Sequence, residues 1–238
     1  MAVIKLSIVL PCFNEAPAVP RIFEAFRGVR AAYPWELILV DNGSSDGTGA
    51  AIAVEIKKPG NEFARLVTVE LNQGYGYGIL HGLESCSGET LAWSHADLQT
   101  PPADIFRAYE RLAALEKPLF SMVKGRRLGR RLPDSFMTAM MGLIATIVLF
   151  SSLRDINAQP KVFPRTLYAR FKNPPQDFNL DLYLCYLARR SGFRVETIPV
   201  TFEKRPFGLS KWATSLGSRL RFIGRTVVYI FRLKAEGP

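Results

Sequence analysis

Cysteine and histidine are scarce. The 238 residues hold three cysteines, Cys12, Cys86 and Cys185, and two histidines, His81 and His95. Three thiols far apart and odd in number argue against a disulfide framework and against a thiolate zinc site, and they fit a reducing compartment. Two histidines rule out a histidine-rich metal centre. Long apolar runs are missing too. The nearest approach is residues 136–153, 18 residues without a charge, at the lower limit for a membrane span. Residues 1–11 are apolar but too short for a signal core and lack a small-residue cleavage site, so they read as a strand. Positive charge is sparse in the first half. Residues 1–123 carry 10 Lys and Arg against 14 Asp and Glu, whereas residues 124–238 carry 21 against 7. An acidic half suits metal and sugar chemistry, and a basic half suits a phosphate or an anionic membrane surface. Nucleic acid would account for the basic half equally well, but nothing there resembles a nucleic-acid-binding motif.

With 48% hydrophobic residues, the chain can bury one large α/β core, or one domain plus an appendage. It is organised around Leu91-Ala92-Trp93-Ser94-His95-Ala96-Asp97-Leu98-Gln99-Thr100-Pro101-Pro102. The apolar run up to Ser94 reads as a buried strand. It delivers an acid and an amide, two residues apart, to the strand's C-terminal end, and the prolines then stop the strand and start a helix. Ligands of open α/β sheets bind at such ends. Asp97 and Gln99 point to one side and suit a hard cation. Asp97 is equally suited to capping the next helix.

Strands are also expected at 6–10, 35–40, 66–71, 119–123 and 193–200. Between the first four strands lie helices to about residue 32, through 56 and over 79–86, and another is expected at 103–115. Strand and helix thus alternate, the pattern of a parallel sheet wound by right-handed crossovers. Asp41-Asn42-Gly43-Ser44-Ser45-Asp46-Gly47-Thr48 follows the second strand. Its acid is placed to hold a base or ribose, and Ser45 and Asp46 also suit an Asx turn and helix cap. Gly74, Gly76 and Gly78 follow the third strand. They lack the P-loop spacing and its Lys-Ser/Thr ending, and a dinucleotide site would want its glycines after the first strand.

Four segments, Pro11-x-Phe13-Asn14-Glu15, Asp41-Asn-Gly-Ser44-x-Asp46-Gly-Thr48, Asn72-x-Gly74 and Ala96-Asp97-Leu98-Gln99-x-Pro-Pro, together resemble the ordered motifs of family 2 glycosyltransferases with the GT-A fold. The resemblance implies a mostly parallel, twisted Rossmann-like α/β sheet flanked by helices. It implies a nucleotide-sugar donor held by Pro11, Asn14, Glu15, Asp41, Gly74, His95 and Ala96. It further implies Mg²⁺ or Mn²⁺ on the donor diphosphate, with Asp97, Gln99 and His95 as the ligand candidates. The chain departs from the family pattern at two points: His95 stands where the first acid of Asp-x-Asp is usual, and Asn42 where a second acid often follows Asp41. One missing charge weakens the grip on a hard cation. His95 is then a replacement ligand, a proton-bearing contact to the donor phosphate, or a tolerated change.

In the second half, Lys124-Gly125-Arg126-Arg127-Leu128-Gly129-Arg130-Arg131 leaves the fifth expected strand at the same edge as Asp97, which favours phosphate binding over a merely solvated loop. The apolar stretch 136–153 is expected to lie in or near a membrane interface, with a plain core helix as the alternative. A helix is expected from about Asp181 to Arg190. Asp181, followed by a strand and by Arg205, Gly208, Ser210 and Lys211, resembles the polyprenyl-phosphate glycosyltransferases typified by dolichyl-phosphate mannose synthase. At residues 216–233, Arg221, Arg225 and Arg232 fall on one helical face and Leu220, Ile223, Val227, Ile230 and Phe231 on the other. That pattern suits a basic helix on an anionic leaflet or one docked on the protein's own core.

The expected domain spans residues 1–212, with a nucleotide-sugar half (1–123) and an acceptor half (124–212), and residues 213–238 form the amphipathic helix. The expected reaction is inverting sugar transfer from a UDP- or GDP-sugar to a polyprenyl phosphate. It would run on the cytoplasmic face of the membrane, where an integral-membrane partner is a candidate anchor. Asp97, Arg126, Arg205, Lys211 and Asp181 are the catalytic candidates. Arg126, Arg127, Arg205, Ser210 and Lys211 are the candidates for the acceptor phosphate. The rivals are transfer to a hydroxyl, with Asp181 or Asp177 as base, and a nucleotide-sugar-binding protein without catalysis.

Overall fold

The computed structural model describes residues 3–128, 132–201 and 216–238. In chain order the first half gives β1 (Leu6–Cys12), α1 (Val19–Arg27), β2 (Trp35–Asn42), α2 (Thr48–Ile56), β3 (Ala64–Val69), α3 (Tyr75–Glu84), β4 (Thr90–Trp93) and α4 (Pro102–Ala113). The second half gives β5 (Ser121–Leu128), α5 (Leu132–Leu149), β6 (Lys161–Pro164), the one-turn α6 (Arg165–Tyr168), α7 (Leu180–Arg190), β7 (Arg194–Thr201) and α8 (Leu216–Glu236).

All seven strands share one sheet in the order β3-β2-β1-β4-β6-β5-β7. β1, β2 and β4 are near-continuous apolar runs, as strands covered on both faces must be. β1 pairs in parallel with β2 on one side and β4 on the other, so the winding direction reverses between β1 and β4. A crevice at the strand ends opens at such a reversal. Two cores flank the sheet. One gathers Phe23, Phe26, Ile52 and Phe106 from α1, α2 and α4. The other gathers Ile79, Leu83, Leu149, Tyr183, Leu187 and Ile230 from α3, α5, α7 and α8.

Several boundaries differ from the sequence expectations. β3 ends at Val69 and leaves Leu71 exposed. β5 runs on through Leu128, so Lys124, Gly125, Arg126 and Arg127 are strand, not loop, because β7 pairs with it in parallel as far as Leu128 opposite Thr201. β6 was not expected: it is four residues that follow Pro160 and end in Pro164, and it exists because it pairs antiparallel with β4 and β5. α8 docks through Thr226, Ile230 and Leu233, and Phe231, expected on the same face as Ile230, is exposed. The α8 side chains of Leu220 and Arg221 lie outside the described ones. No helix among the described residues is long and apolar enough to cross a membrane.

The second core contains an ion pair. Lys161 and Asp181 are both almost fully buried, with Nζ 3.2 Å from Oδ1. Lys161 also donates to the carbonyls of Ile156 (2.7 Å) and Ala158 (2.8 Å). Asp181 also accepts from Trp93 Nε1 (3.0 Å) and Gln159 Nε2 (3.1 Å). A buried charge left alone is costly, whereas an apolar replacement of the whole pair is often tolerated. Lys161→Met or Asp181→Leu alone should therefore lose about 3–5 kcal/mol in urea unfolding, and the double variant much less than their sum. Additive losses would show that the two charges do not depend on each other.

Gly82 of α3 sits on β1 and β2, where a Cβ would overlap Val9 and come within 2.9 Å of Val40 Cγ2. Alanine gains up to about 1 kcal/mol of helix propensity but overpacks this contact at about 1–3 kcal/mol. Gly82→Ala should lower the urea midpoint, and a raised midpoint would mean that α3 shifts without cost.

Candidate active site

The strand ends bring the predicted residues of the first half to one edge. Cys12 lies opposite Asp41 across β1 and β2, and Ser94, just past β4, donates its N–H to the Val9 carbonyl of β1 (3.2 Å). The loops after β1 and β2 are stitched together. Asn14, at φ 56°, accepts from Ser45 N through its side-chain oxygen (2.9 Å), and its own N–H donates to Ser44 Oγ (3.1 Å). Glu15 N donates to Thr48 Oγ1 (2.8 Å) and Ala16 N to Asp46 Oδ2 (3.1 Å). Burial pushes the Asp46 carboxyl up, but the hydrogen bonds from Thr48 and Ala16 outweigh it and hold the group below its usual range. Asp46 is thus a clamp between loops. The residue at the cap of α2 is Gly47, not Ser45 or Asp46.

Asp41 is buried and accepts the Ser44 N–H (3.1 Å). Gly49 lies against its other oxygen, where any side chain would collide. The replacement of a second acid by Asn42 has a physical reason here. Asn42 Nδ2 donates to the Gly74 carbonyl (2.9 Å), a bond that a carboxylate could not make. The glycines of 74–78 serve close packing. A Cβ on Gly76 would come within 2.7 Å of the carbonyls of Pro175 and Asp177, and one on Gly78 within 2.8 Å of the Asn42 side chain. Gly74, at φ 130°, lies against the Gln176 carbonyl. Pro11 is half-buried at the end of β1, and Ala96 is buried beside Asp97.

Asp97 is buried and accepts the Gln99 N–H through Oδ1 (3.1 Å), an Asx turn. It does not cap α4, whose cap position is Pro101. His95 packs against Tyr75, ring centroids 5.5 Å apart, and Tyr75 stacks on Phe178 at 4.5 Å. Gln159 Nε2 donates to the Tyr75 hydroxyl (3.2 Å) and to Asp181. Burial of its hydroxyl, then the charges of Asp181 and Asp97, push the Tyr75 phenol well above its ordinary value and keep it protonated. Tyr75, Gln159 and Lys161 were not singled out from the sequence, because no spacing links residues so far apart. Among the described residues no cluster of three or more His, Cys, Asp or Glu could hold a metal. A divalent ion here would draw on Asp97, Gln99, His95 and the donor's own phosphates. That donor set fits Mg²⁺, which commonly uses one or two carboxylates plus substrate oxygens.

β5 runs in the same direction as β4, two strands away, so Arg126 and Arg127 emerge at the Asp97 edge about 10 Å across the sheet. Arg126 is exposed. Arg127 is half-buried and ion-paired with Asp155, whose carboxylate also accepts the Arg127 N–H (2.7 Å). Asp177 is held by Asn179 N (2.9 Å) and by Arg225 (3.3 Å). Arg205, Ser210 and Lys211 lie outside the described residues. The three cysteines are buried free thiols, and burial pushes Cys86 up to about 12.

The family model of Glycosyl transferase family 2 matches residues 7–164, which take in β1 from its second residue through β6 and all four motif segments. The dodecaprenyl-phosphate galacturonate synthase of Rhizobium johnstonii is 28% identical over 98% of this chain and 69% of its own length. The undecaprenyl-phosphate 4-deoxy-4-formamido-L-arabinose transferase of Serratia proteamaculans is 27% identical over 88% of this chain. The match takes in 63% of that protein, so the chain spans somewhat under two thirds of its length. Among solved structures, glucosyl-3-phosphoglycerate synthase from Mycobacterium tuberculosis, in complex with Mn²⁺, UDP and glucosyl-3-phosphoglycerate, superposes with a TM-score of 0.73. It is 18% identical, with 98% of this chain and 81% of that one covered. A mannosyltransferase from Pyrobaculum calidifontis in complex with GDP-Man and Mn²⁺ gives 0.66 at 18% identity, covering 97% and 64%. The sheet order, the loops at its switch point and the match over residues 7–164 agree: the chain belongs to glycosyltransferase family 2, with the GT-A fold.

Proposed function

We propose that this chain transfers a sugar from a nucleoside diphosphate to a polyprenyl phosphate, with inversion. The observation that carries the reading is that acids and cations meet at one edge of the sheet. The acidic loops of β1, β2 and β4 end beside one another, and the arginines of β5 emerge at the same edge. The curated relatives named above, both polyprenyl-phosphate enzymes by name, support the acceptor class. Pro11, Asn14, Glu15, Asp41, Gly74, His95 and Ala96 line the donor side. Mg²⁺ or Mn²⁺, bound through Asp97 with Gln99 or His95, would supply positive charge against the leaving diphosphate.

A polyprenyl phosphate is already an oxyanion near neutral pH and needs cations more than a base. Arg126 is the exposed candidate, with Arg127, Arg205, Ser210 and Lys211 beside it in the proposal. Asp181 and Asp177 are poorly suited to act as bases, since each carboxylate is taken up by a cation and by hydrogen bonds. Asp181 instead positions Gln159, and through it Tyr75 against His95. The enzyme would work at the cytoplasmic face of a membrane. In support, Leu143, Ile147 and Phe150 form an exposed row on and just past α5, and Val228 and Phe231 are exposed on α8, flanked by Arg232 and Lys234. An apolar stripe rimmed by cations suits an anionic leaflet.

The test is transfer of labelled sugar from a panel of UDP- and GDP-sugars into an organic-extractable product with polyprenyl phosphate, with and without Mn²⁺. Arg126→Ala should cut transfer by about tenfold or more while nucleotide binding persists. Loss of nucleotide binding in that variant, or no lipid product from any donor, would overturn the assignment. His95→Asp restores the missing acid and should lower the Mn²⁺ concentration needed for half-maximal rate, by about tenfold for one added charge. An unchanged requirement would place residue 95 away from the metal.

A further inference from the structure

On the face of the sheet covered by α7, a cavity of about 120 Å³ opens between β5, β7, α7 and residues 152–156. Among the described residues its charged lining is all of one sign: Lys124, Arg154 and Arg189, with Ser152 and Thr197 adding hydroxyls and no carboxylate. Lys124 is 4% exposed. Two of its three donors go to the carbonyls of Asp155 (2.8 Å) and Gly125 (3.2 Å). Burial is the main reason its pKa falls to about 8, with Lys161 and Arg127 pushing the same way and Cys185 and Asp155 opposing. Among the described residues, neither the Arg154 nor the Arg189 side chain has a hydrogen-bond or ion-pair partner. Arg127, by contrast, is neutralised by Asp155.

Three cations around one concavity repel one another unless something negative lies between them. The space equals about four waters at ~30 Å³ each, enough for a tetrahedral oxyanion and too small for a sugar nucleotide. Two guanidinium groups, an ammonium and two hydroxyls among the lining residues are the donor types that suit the acceptor oxygens of a phosphate. We propose that this cavity is a second oxyanion site, binding inorganic phosphate or a phosphate monoester, separate from the donor and acceptor seats at the strand ends. Asp155 links it to the cleft side of β5. Asp155 takes Lys124 on its carbonyl and Arg127 on its carboxylate. The inference stands on the cavity and its charges and does not depend on the reaction proposed above.

Inorganic phosphate would be titrated calorimetrically into the full chain, into the double variant Arg154→Ala/Arg189→Ala and into Arg126→Ala. Both rim arginines are exposed, so the double variant should keep the thermal unfolding midpoint of the parent. Phosphate affinity should fall about tenfold or more in the double variant and change little in Arg126→Ala. Equal affinity in parent and double variant, or loss in Arg126→Ala alone, would overturn the site. A rise in the acceptor's KM in the double variant would also overturn it as separate, since the cavity would then be the acceptor's own seat. Vesicles of phosphatidylcholine with and without phosphatidic acid separate the sources. If the double variant loses the gain in binding that phosphatidic acid gives, the site takes a lipid headgroup. If only the calorimetric signal is lost, it takes the free anion.

Discussion

One buried ion pair, Lys161 with Asp181, holds the two halves of the molecule in register. Lys161 stands on β6, the antiparallel strand that joins β4 to β5, and Asp181 stands in the first turn of α7. Their meeting fixes α7 over the middle of the sheet. Through Trp93 and Gln159 it also reaches β4 and the N-terminal end of α3. Such a pair contributes little net stability against an apolar equivalent, because desolvation offsets much of the attraction. Its effect is geometric: Tyr75 is tied to Gln159, so the wall against which His95 packs is set by charges in the core. A change at residue 161 or 181 would therefore be felt at residue 95 without either side chain touching a substrate.

The exit loops of β1, β2 and β4 were legible in the sequence because their signals are local. β1, β2 and β4 are apolar runs that end in proline, asparagine, glycine or aspartate, and turn chemistry acts over two to four residues. The exit loops therefore lay where spacing placed them. What spacing could not show is which polar atoms are spent on the fold. Asp46 reads as an Asx turn and makes one, accepting the Thr48 N–H, but spacing could not show that its other oxygen clamps the loop after β1. The spacing of Gly76 and Gly78 argued against a P-loop but could not show that they make room for the carbonyls of 175 and 177 and for Asn42. β6 was hard to read because Val162 and Phe163 are too short a run between Pro160 and Pro164, and the pairing that makes it a strand comes from β4 and β5, more than thirty residues away in the chain.

Charge composition gives a similar lesson. The second half is strongly basic, but several of its cations are committed within the fold. Lys161 is bound to Asp181, Arg127 to Asp155 and Arg225 to Asp177. Arg165 donates to the carbonyls of Gly88 and Cys86. The cations left to meet a ligand among those discussed are fewer and fall into separate groups: Arg126 at the strand ends, and Lys124, Arg154 and Arg189 around the cavity beneath them. A net charge reports how many cations there are, whereas their partners decide which can hold a phosphate.

The same accounting bears on the chemistry. An enzyme acting on a hydroxyl needs a carboxylate or imidazole with a raised or near-neutral pKa, open to the cleft. The acids of the second half are arranged the other way. Burial alone would raise Asp155, but the Arg127 contacts outweigh it and hold the group below the usual carboxylate range, so it stays ionised and committed. Asp181 is closed off under α7 and faces an ammonium. A cleft edged by an exposed arginine, with Asp155, Asp177 and Asp181 of the second half paired to cations, is better equipped to hold an acceptor that has no proton to lose than to remove one from a hydroxyl. A phosphate acceptor is the reading that asks for no group the fold has already used.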